Sequence, residues 1–111
     1  MKQNISIFDL AIHTTAAIAA NTFVAVTGTP AVAAGNALGV ATFDAAIGAT
    51  VVCNVIGTAT VIAGGAIAKG AAVEVGATGF AVTKVTGVTV GRALNATLLA
   101  GEFVEVLLIA N

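Results

Sequence analysis

Ser6, Asp9 and His13 fall close together in the chain, and as residue types they are a nucleophile, an orienting acid and a general base. Catalytic sets of this kind are assembled from separate elements. Strung along one short segment, these three read as capping or solvated positions. Cys53 sits in Val51-Val52-Cys53-Asn54-Val55, where branched neighbours make it a small buried hydrophobe rather than a reactive thiol. As the single cysteine it excludes an internal disulfide and a cysteine-based zinc cluster. Glu102 and Glu105 supply the pair of carboxylates that glycoside hydrolysis needs, but an odd spacing on a strand sends them to opposite faces, as rim or interface charges. Gly64-Gly65 and Gly76-Ala77-Thr78-Gly79 lack the Gly-Lys-Ser/Thr ending and the helix pattern of a phosphate loop. Asn4-Ile5-Ser6 and Asn95-Ala96-Thr97 spell glycosylation sequons. Asp9 and His13 interrupt any secretory apolar core behind Lys2, so the sequons are expected to be coincidental. No catalytic, cofactor-binding or metal-binding set emerges, and the expectation is a protein that is not an enzyme.

Those residues must be carried by a chain with an unusual surface. Of 111 residues, 59% are hydrophobic and only 8% charged. A folded monomer of this mass exposes roughly 5,500 Å², or about one charge per 600 Å². Free surfaces normally carry about 25–35% charged residues, so much of this one is expected to be covered by other protein. The net charge of −1 and the absence of Trp and Tyr argue against nucleic acid. Mean hydropathy is +1.09 and residues 45–68 are uncharged, yet that stretch contains Gly48, Thr50, Asn54, Gly57, Thr58, Thr60, Gly64 and Gly65. Each Gly costs about 1 kcal/mol inside a helix, so a membrane span is not expected.

The positioning elements are strands. Runs rich in Val, Thr and Ile recur every 8–12 residues with Gly or Asn between them. They predict strands near 22–27, 37–43, 49–56, 58–63, 71–75, 79–85, 88–94 and 102–109. In the last, Val104 and Val106 face one way and Phe103 and Leu107 the other. Turn residues between the runs, among them Gly28, Gly57 and Gly79, complete an all-β pattern, and closure into a small β-barrel or β-sandwich protects short edges. The segment Gly39, Asp44, Gly48, Val51 also lines up with Gly91, Asn95, Gly101, Val104. Either an Ala- and Val-rich chain matches itself by chance, or half a barrel has been duplicated. In the second case Gly39, Gly48, Gly91 and Gly101 mark sharp turns that use positive φ.

Residues 1–20 read as an N-terminal arm and 21–111 as a single β-rich domain. In the arm, Ile5 and Ile7 alternate with Ser6, and Phe8, Leu10 and Ile12 continue on the opposite parity, so an extended arm needs a bulge near Phe8. A short helix capped by Ser6 is the rival. Either way, Ile5, Ile7, Phe8, Leu10 and Ile12 are too apolar to stand in water and are expected to dock on a neighbouring subunit or a partner.

One resemblance runs through about residues 20–109. The order is Leu38-Gly39-Val40-Ala41, Asp44-Ala45-Ala46, Gly48-Ala49-Thr50-Val51, Gly57, Val61-Ile62-Ala63-Gly64 and Ile67-Ala68-Lys69-Gly70-Ala71-Ala72-Val73. It continues with Ala77-Thr78-Gly79-Phe80-Ala81, Val90-Gly91-Arg92-Ala93-Leu94 and Ala100-Gly101-Glu102-Phe103-Val104-Glu105-Val106. This order resembles the capsid cement, or head decoration, proteins of tailed bacteriophages. The resemblance implies a β-rich subunit on the exterior of a phage capsid, often a homotrimer, clamping neighbouring copies of the major capsid protein. It implies no cofactor. The competing reading is a self-assembling β-rich surface or fibre protein outside phages.

Overall fold

A computed structural model describes residues 4–111. Within them the strands are β1 (Ile5–His13), β2 (Phe23–Val24), β3 (Gly39–Ala41), β4 (Thr50–Ile62), β5 (Ala72–Val75), β6 (Ala81–Thr83), β7 (Gly91–Ala93) and β8 (Phe103–Leu108). They pair antiparallel in the order β2-β3-β4-β8-β7-β5-β6, with β1 laid along β4, in a nearly closed, barrel-like sheet.

The fold is all-β, as the alternating runs predict. Most of the runs hold shorter strands than predicted, 22–27 only Phe23–Val24 and 88–94 only Gly91–Ala93, and two of the runs merge. The expected strands 49–56 and 58–63 are a single strand of 13 residues, and Gly57 lies inside it rather than in a turn. Gly57 pairs with Ser6 just where the β1 register shifts around Phe8. A β-carbon there would run into the Ile5 carbonyl, and its φ is 119°. The irregularity also swaps the faces of β4. Val40 and Ala41 point to opposite sides of β3, and Val51 and Cys53 share the side of Ala41, whereas Ala59 and Val61 lie with Val40. Regular alternation would keep all four of those β4 side chains on one face, so glycine at 57 lets one strand serve two clusters. The larger joins Phe23 and Val40 to Val61, Ile67, Val73, Val104 and Val106; the smaller holds Ile18, Val24, Ala41, Val51 and Cys53.

The internal repeat is real. Thr14 N–H donates to Ala49 O as Ala63 N–H does to Glu102 O. Ile18 exchanges two bonds with Ala45 as Ile67 does with Thr97, and Leu38 N–H donates to Val24 O as Val90 N–H does to Val73 O. Thr42 N–H donates to Val52 O as Leu94 N–H does to Glu105 O. The pairing of β1 with the start of β4 recurs in the end of β4 with β8: His13↔Thr50 matches Ile62↔Phe103, and Leu10↔Cys53 matches Ala59↔Val106. The long strand β4 therefore closes the first repeat and opens the second.

Two of the four glycines expected at turns are not turns. Gly48 and Gly101 have φ of 84° and 92°, but Gly39 and Gly91 lie inside β3 and β7, without positive φ. What these two require is closeness. A β-carbon at Gly39 would run into the Asn54 carbonyl, and one at Gly91 into Val106 Cγ1.

Glu74 gives the fold a pH dependence. Its Oε1 accepts the N–H groups of Val85 at 2.6 Å and Gly87 at 3.0 Å, and these bonds, first Val85 and then Gly87, hold its carboxyl below the ordinary value of 4.5 against the opposing effect of burial. The folded chain thus prefers the carboxylate more than the unfolded chain does. The stabilisation is complete above the ordinary carboxylate range and is lost as the pH falls through and below it. Thermal melts from pH 7 to pH 3 should show a stability loss at the acid end that is smaller in Glu74→Gln; equal acid-side losses in both proteins would contradict this role.

Candidate functional site

The residues with chemistry are kept apart. Ser6 Oγ donates to Asp9 Oδ1 on β1. His13, farther along the same extended strand, is about 23 Å from Ser6 at roughly 3.3 Å per residue. No nucleophile–base contact is within reach. Cys53 is fully buried, and burial, with the charge of Asp9 adding, pushes its thiol up to about 11. The native thiol should stay unreactive toward a disulfide reagent at pH 8 over times that exhaust the unfolded protein; rapid native labelling would show that it is accessible. Glu102 accepts the N–H groups of Leu98 and Leu99, closing the turn before β8, while Glu105 is buried on that strand. The sequon asparagines are structural: Asn4 Oδ1 accepts the Thr60 N–H at 2.6 Å, and Asn95 Oδ1 the Glu105 N–H at 2.7 Å. Among the described residues, no group of three or more His, Cys, Asp or Glu is placed to hold a metal ion, and no helix is long and apolar enough to cross a membrane.

What the structure does concentrate is apolar surface. The stretch 5–13 is a strand, hydrogen-bonded to Thr50–Thr58 of its own chain, and it is exposed at nearly every position. Ile5, Ile7, Phe8 and Leu10 stand in solvent, Ile7 at 74%, while Ile12 is half-buried against the smaller cluster. Ile56, paired with Phe8, extends the patch onto β4. β4 occupies one edge of β1 and no described strand lies on the other, leaving a row of unpaired N–H and C=O groups beside the apolar side chains. Natural edge strands are usually blunted by Lys, Pro or short length. This one is nine residues long and contains neither. Its shields are the irregularity at Phe8 and the charge of Asp9. On β8, Val104 and Val106 are fully buried, but Phe103 and Leu107 are 44% and 43% exposed, so that strand also offers an apolar outer face.

The five apolar residues of β1 are conspicuous in the sequence, whereas Ile56, Phe103 and Leu107 stand out as exposed apolar residues only in the folded chain. Ile56 could not be recognised without the β1–β4 register.

A small, nearly closed antiparallel barrel built from two fused repeats, with one long apolar edge, is the class that the fold defines. The chain belongs to the phage cement protein family, which it matches over residues 1–108. Its fold is similar to that in the crystal structure of the head fiber gp8.5 N base of bacteriophage phi29, with a TM-score of 0.78 and 20% identity over 92% of this chain and 93% of that one. No curated protein matches the chain.

Proposed function

We propose that this protein binds the exterior of a phage capsid as a homotrimer, bridges neighbouring major capsid subunits and so stabilises the mature head. Membership in the cement family supports the phage reading over that of a surface or fibre protein outside phages. The observation that carries the reading is the β1 edge, where unpaired backbone groups and the side chains of Ile5, Ile7, Phe8 and Leu10 are presented together. A strand with both features can be extended by a strand or loop of a partner, the main chain supplying affinity and the side chains specificity. In this reading residues 1–20 provide contact, with β1 parked on its own body until a partner is met. Cementing needs no chemistry. A ligand that binds only the expanded lattice stabilises it by RT ln(1 + [L]/Kd), and many identical sites multiply the effect.

The test is co-sedimentation of the purified protein with expanded heads that lack it, followed by heating of bare and decorated heads. Saturable binding together with a higher temperature of DNA release is expected. Failure to bind, or binding that leaves the release temperature unchanged, would overturn the cementing role.

A further inference from the structure

Asn54 of β4 is paired with Asp9 of β1 on one side and with Val40 of β3 on the other. Residues directly opposite across strands share a face, with β-carbons about 4.5–5.5 Å apart. Here they border a cavity of about 110 Å³, which Ser6, Asn21 and Thr42 also line. Ser6 and Asp9 would face opposite ways on a regular strand, and the irregularity around Phe8 brings both to this side. The donors of these side chains are engaged. Asn54 Nδ2 donates to Thr58 O at 2.7 Å and Asn21 Nδ2 to Thr60 O at 2.9 Å, while Ser6 Oγ donates to Asp9 Oδ1 and Thr42 Oγ1 to Val52 O at 2.8 Å. What they have left to offer is oxygen. Asn54 is 2% exposed, and its Oδ1 is buried with no partner among the described residues. The Thr58 carbonyl fixes that amide the right way round, since an oxygen turned toward it would face a second acceptor. A buried acceptor left unpaired costs stability and calls for a partner that the chain itself does not supply. Asn4 also lines the cavity, but its Oδ1 is taken by the Thr60 N–H.

We propose that this cavity binds a calcium ion, held by the Asp9 carboxylate and the side-chain oxygens of Asn54, Asn21, Ser6 and Thr42, with water completing the shell. Calcium accepts six to eight oxygens in a flexible arrangement, amide carbonyls and waters among them, whereas magnesium demands a near-ideal octahedron. A hydroxyl that donates its hydrogen elsewhere keeps its lone pairs for the ion. A water in the same place would bring two hydrogens to five acceptors; a cation needs acceptors only. The volume suits an ion with two or three waters, at about 30 Å³ each. A single carboxylate puts the affinity in the weak range of about 10⁻⁴–10⁻³ M. Ser6 and Asp9 lie on β1, Asn54 on β4, Thr42 just after β3 and Asn21 just before β2. The ion therefore clamps the exposed strand to the body, whatever partner that strand meets.

Calorimetric titration of the chelator-treated full chain with calcium chloride tests the site, together with thermal melts in calcium chloride and in sodium chloride of equal ionic strength. Wild type is expected to bind one ion per chain and to melt about 5 °C or more higher in 10 mM calcium than in the sodium control. Asp9→Asn keeps the shape of an exposed side chain, so it should fold, bind calcium at least tenfold more weakly and lose the rise. Asp44→Asn, an exposed carboxylate outside this cavity, should behave like wild type. No rise beyond the sodium control, an equal rise in Asp9→Asn, or a rise lost in Asp44→Asn would each overturn the site. Free protein is used throughout, so failure to decorate heads leaves the result standing, and failure to bind calcium leaves the capsid reading standing.

Discussion

Replacing Gly91 by alanine should lower the melting temperature by roughly 10 °C or more, and Gly39→Ala by nearly as much, taking about 2–3 kcal/mol for overpacking and about 4–8 °C per kcal/mol. Gly48→Ala and Gly101→Ala should cost about 5 °C or less. All four glycines occupy matching places in the two repeats, but the physics differs. At Gly91 a methyl would have to displace Val106 Cγ1, a fully buried side chain with no room to turn, and would also sit 2.8 Å from the Leu107 carbonyl. At Gly39 the obstacle is the Asn54 carbonyl, backbone that is locked between β3 and β1. At Gly48 and Gly101 nothing lies within 4 Å, and the penalty is conformational, from φ of 84° and 92°. That penalty is about 1 kcal/mol, partly offset by the reduced freedom of the unfolded chain. Calorimetry on the four single variants checks the order. Equal shifts at all four would show that close approach inside β3 and β7 is not what these glycines provide.

The double variant Ile5→Ser, Ile7→Ser should bind expanded heads about 30- to 1,000-fold more weakly while melting almost like wild type. Burying an aliphatic side chain is worth about 1.5–3 kcal/mol, so two that are buried only on docking contribute about 2–4 kcal/mol once the cover Ile5 already has is subtracted. In the free protein these side chains stand largely in water and contribute little to folding. Unchanged head affinity would remove β1 from the contact surface. Deleting residues 2–13 is a harsher change, because it also strips the partner strand from Thr50–Thr58 and the half-buried Ile12 from the smaller cluster. That deletion should abolish decoration and leave a β-rich but less stable body; undiminished decoration would refute the contact role.

Several features of this protein can be read from the residues alone, because they depend on local order. Val104 and Val106 alternate with Phe103 and Leu107, and a period of two dictates opposite faces in any strand. The spacing of Val- and Thr-rich runs dictates an all-β chain. The irregularity near Phe8 follows from the parity change between Ile7 and Phe8 within the segment itself. The repeat shows as matched glycines and polar corners, since both copies meet the same backbone demands. The scarcity of charge also signals in advance that part of the surface is meant to be covered.

Other features arise only when distant segments meet. Gly57 has the local signature of a turn, and the approach of Ile5, more than fifty residues earlier, turns it into an irregularity inside one long strand. Gly39 and Gly91 carry the same letter as Gly48 and Gly101. A glycine in a sequence does not distinguish the need for positive φ from the need for space, because the space is defined by Asn54 and Val106 across the sheet. The five apolar residues of β1 are conspicuous in the sequence, but which of them is covered depends on pairing with Thr50–Thr58 and on Ile12 reaching the smaller cluster. The packing of the first repeat against the second is wholly tertiary. Val40 and Arg92 hold matching places, and only the packing of one repeat against the other buries the first and leaves the second in solvent.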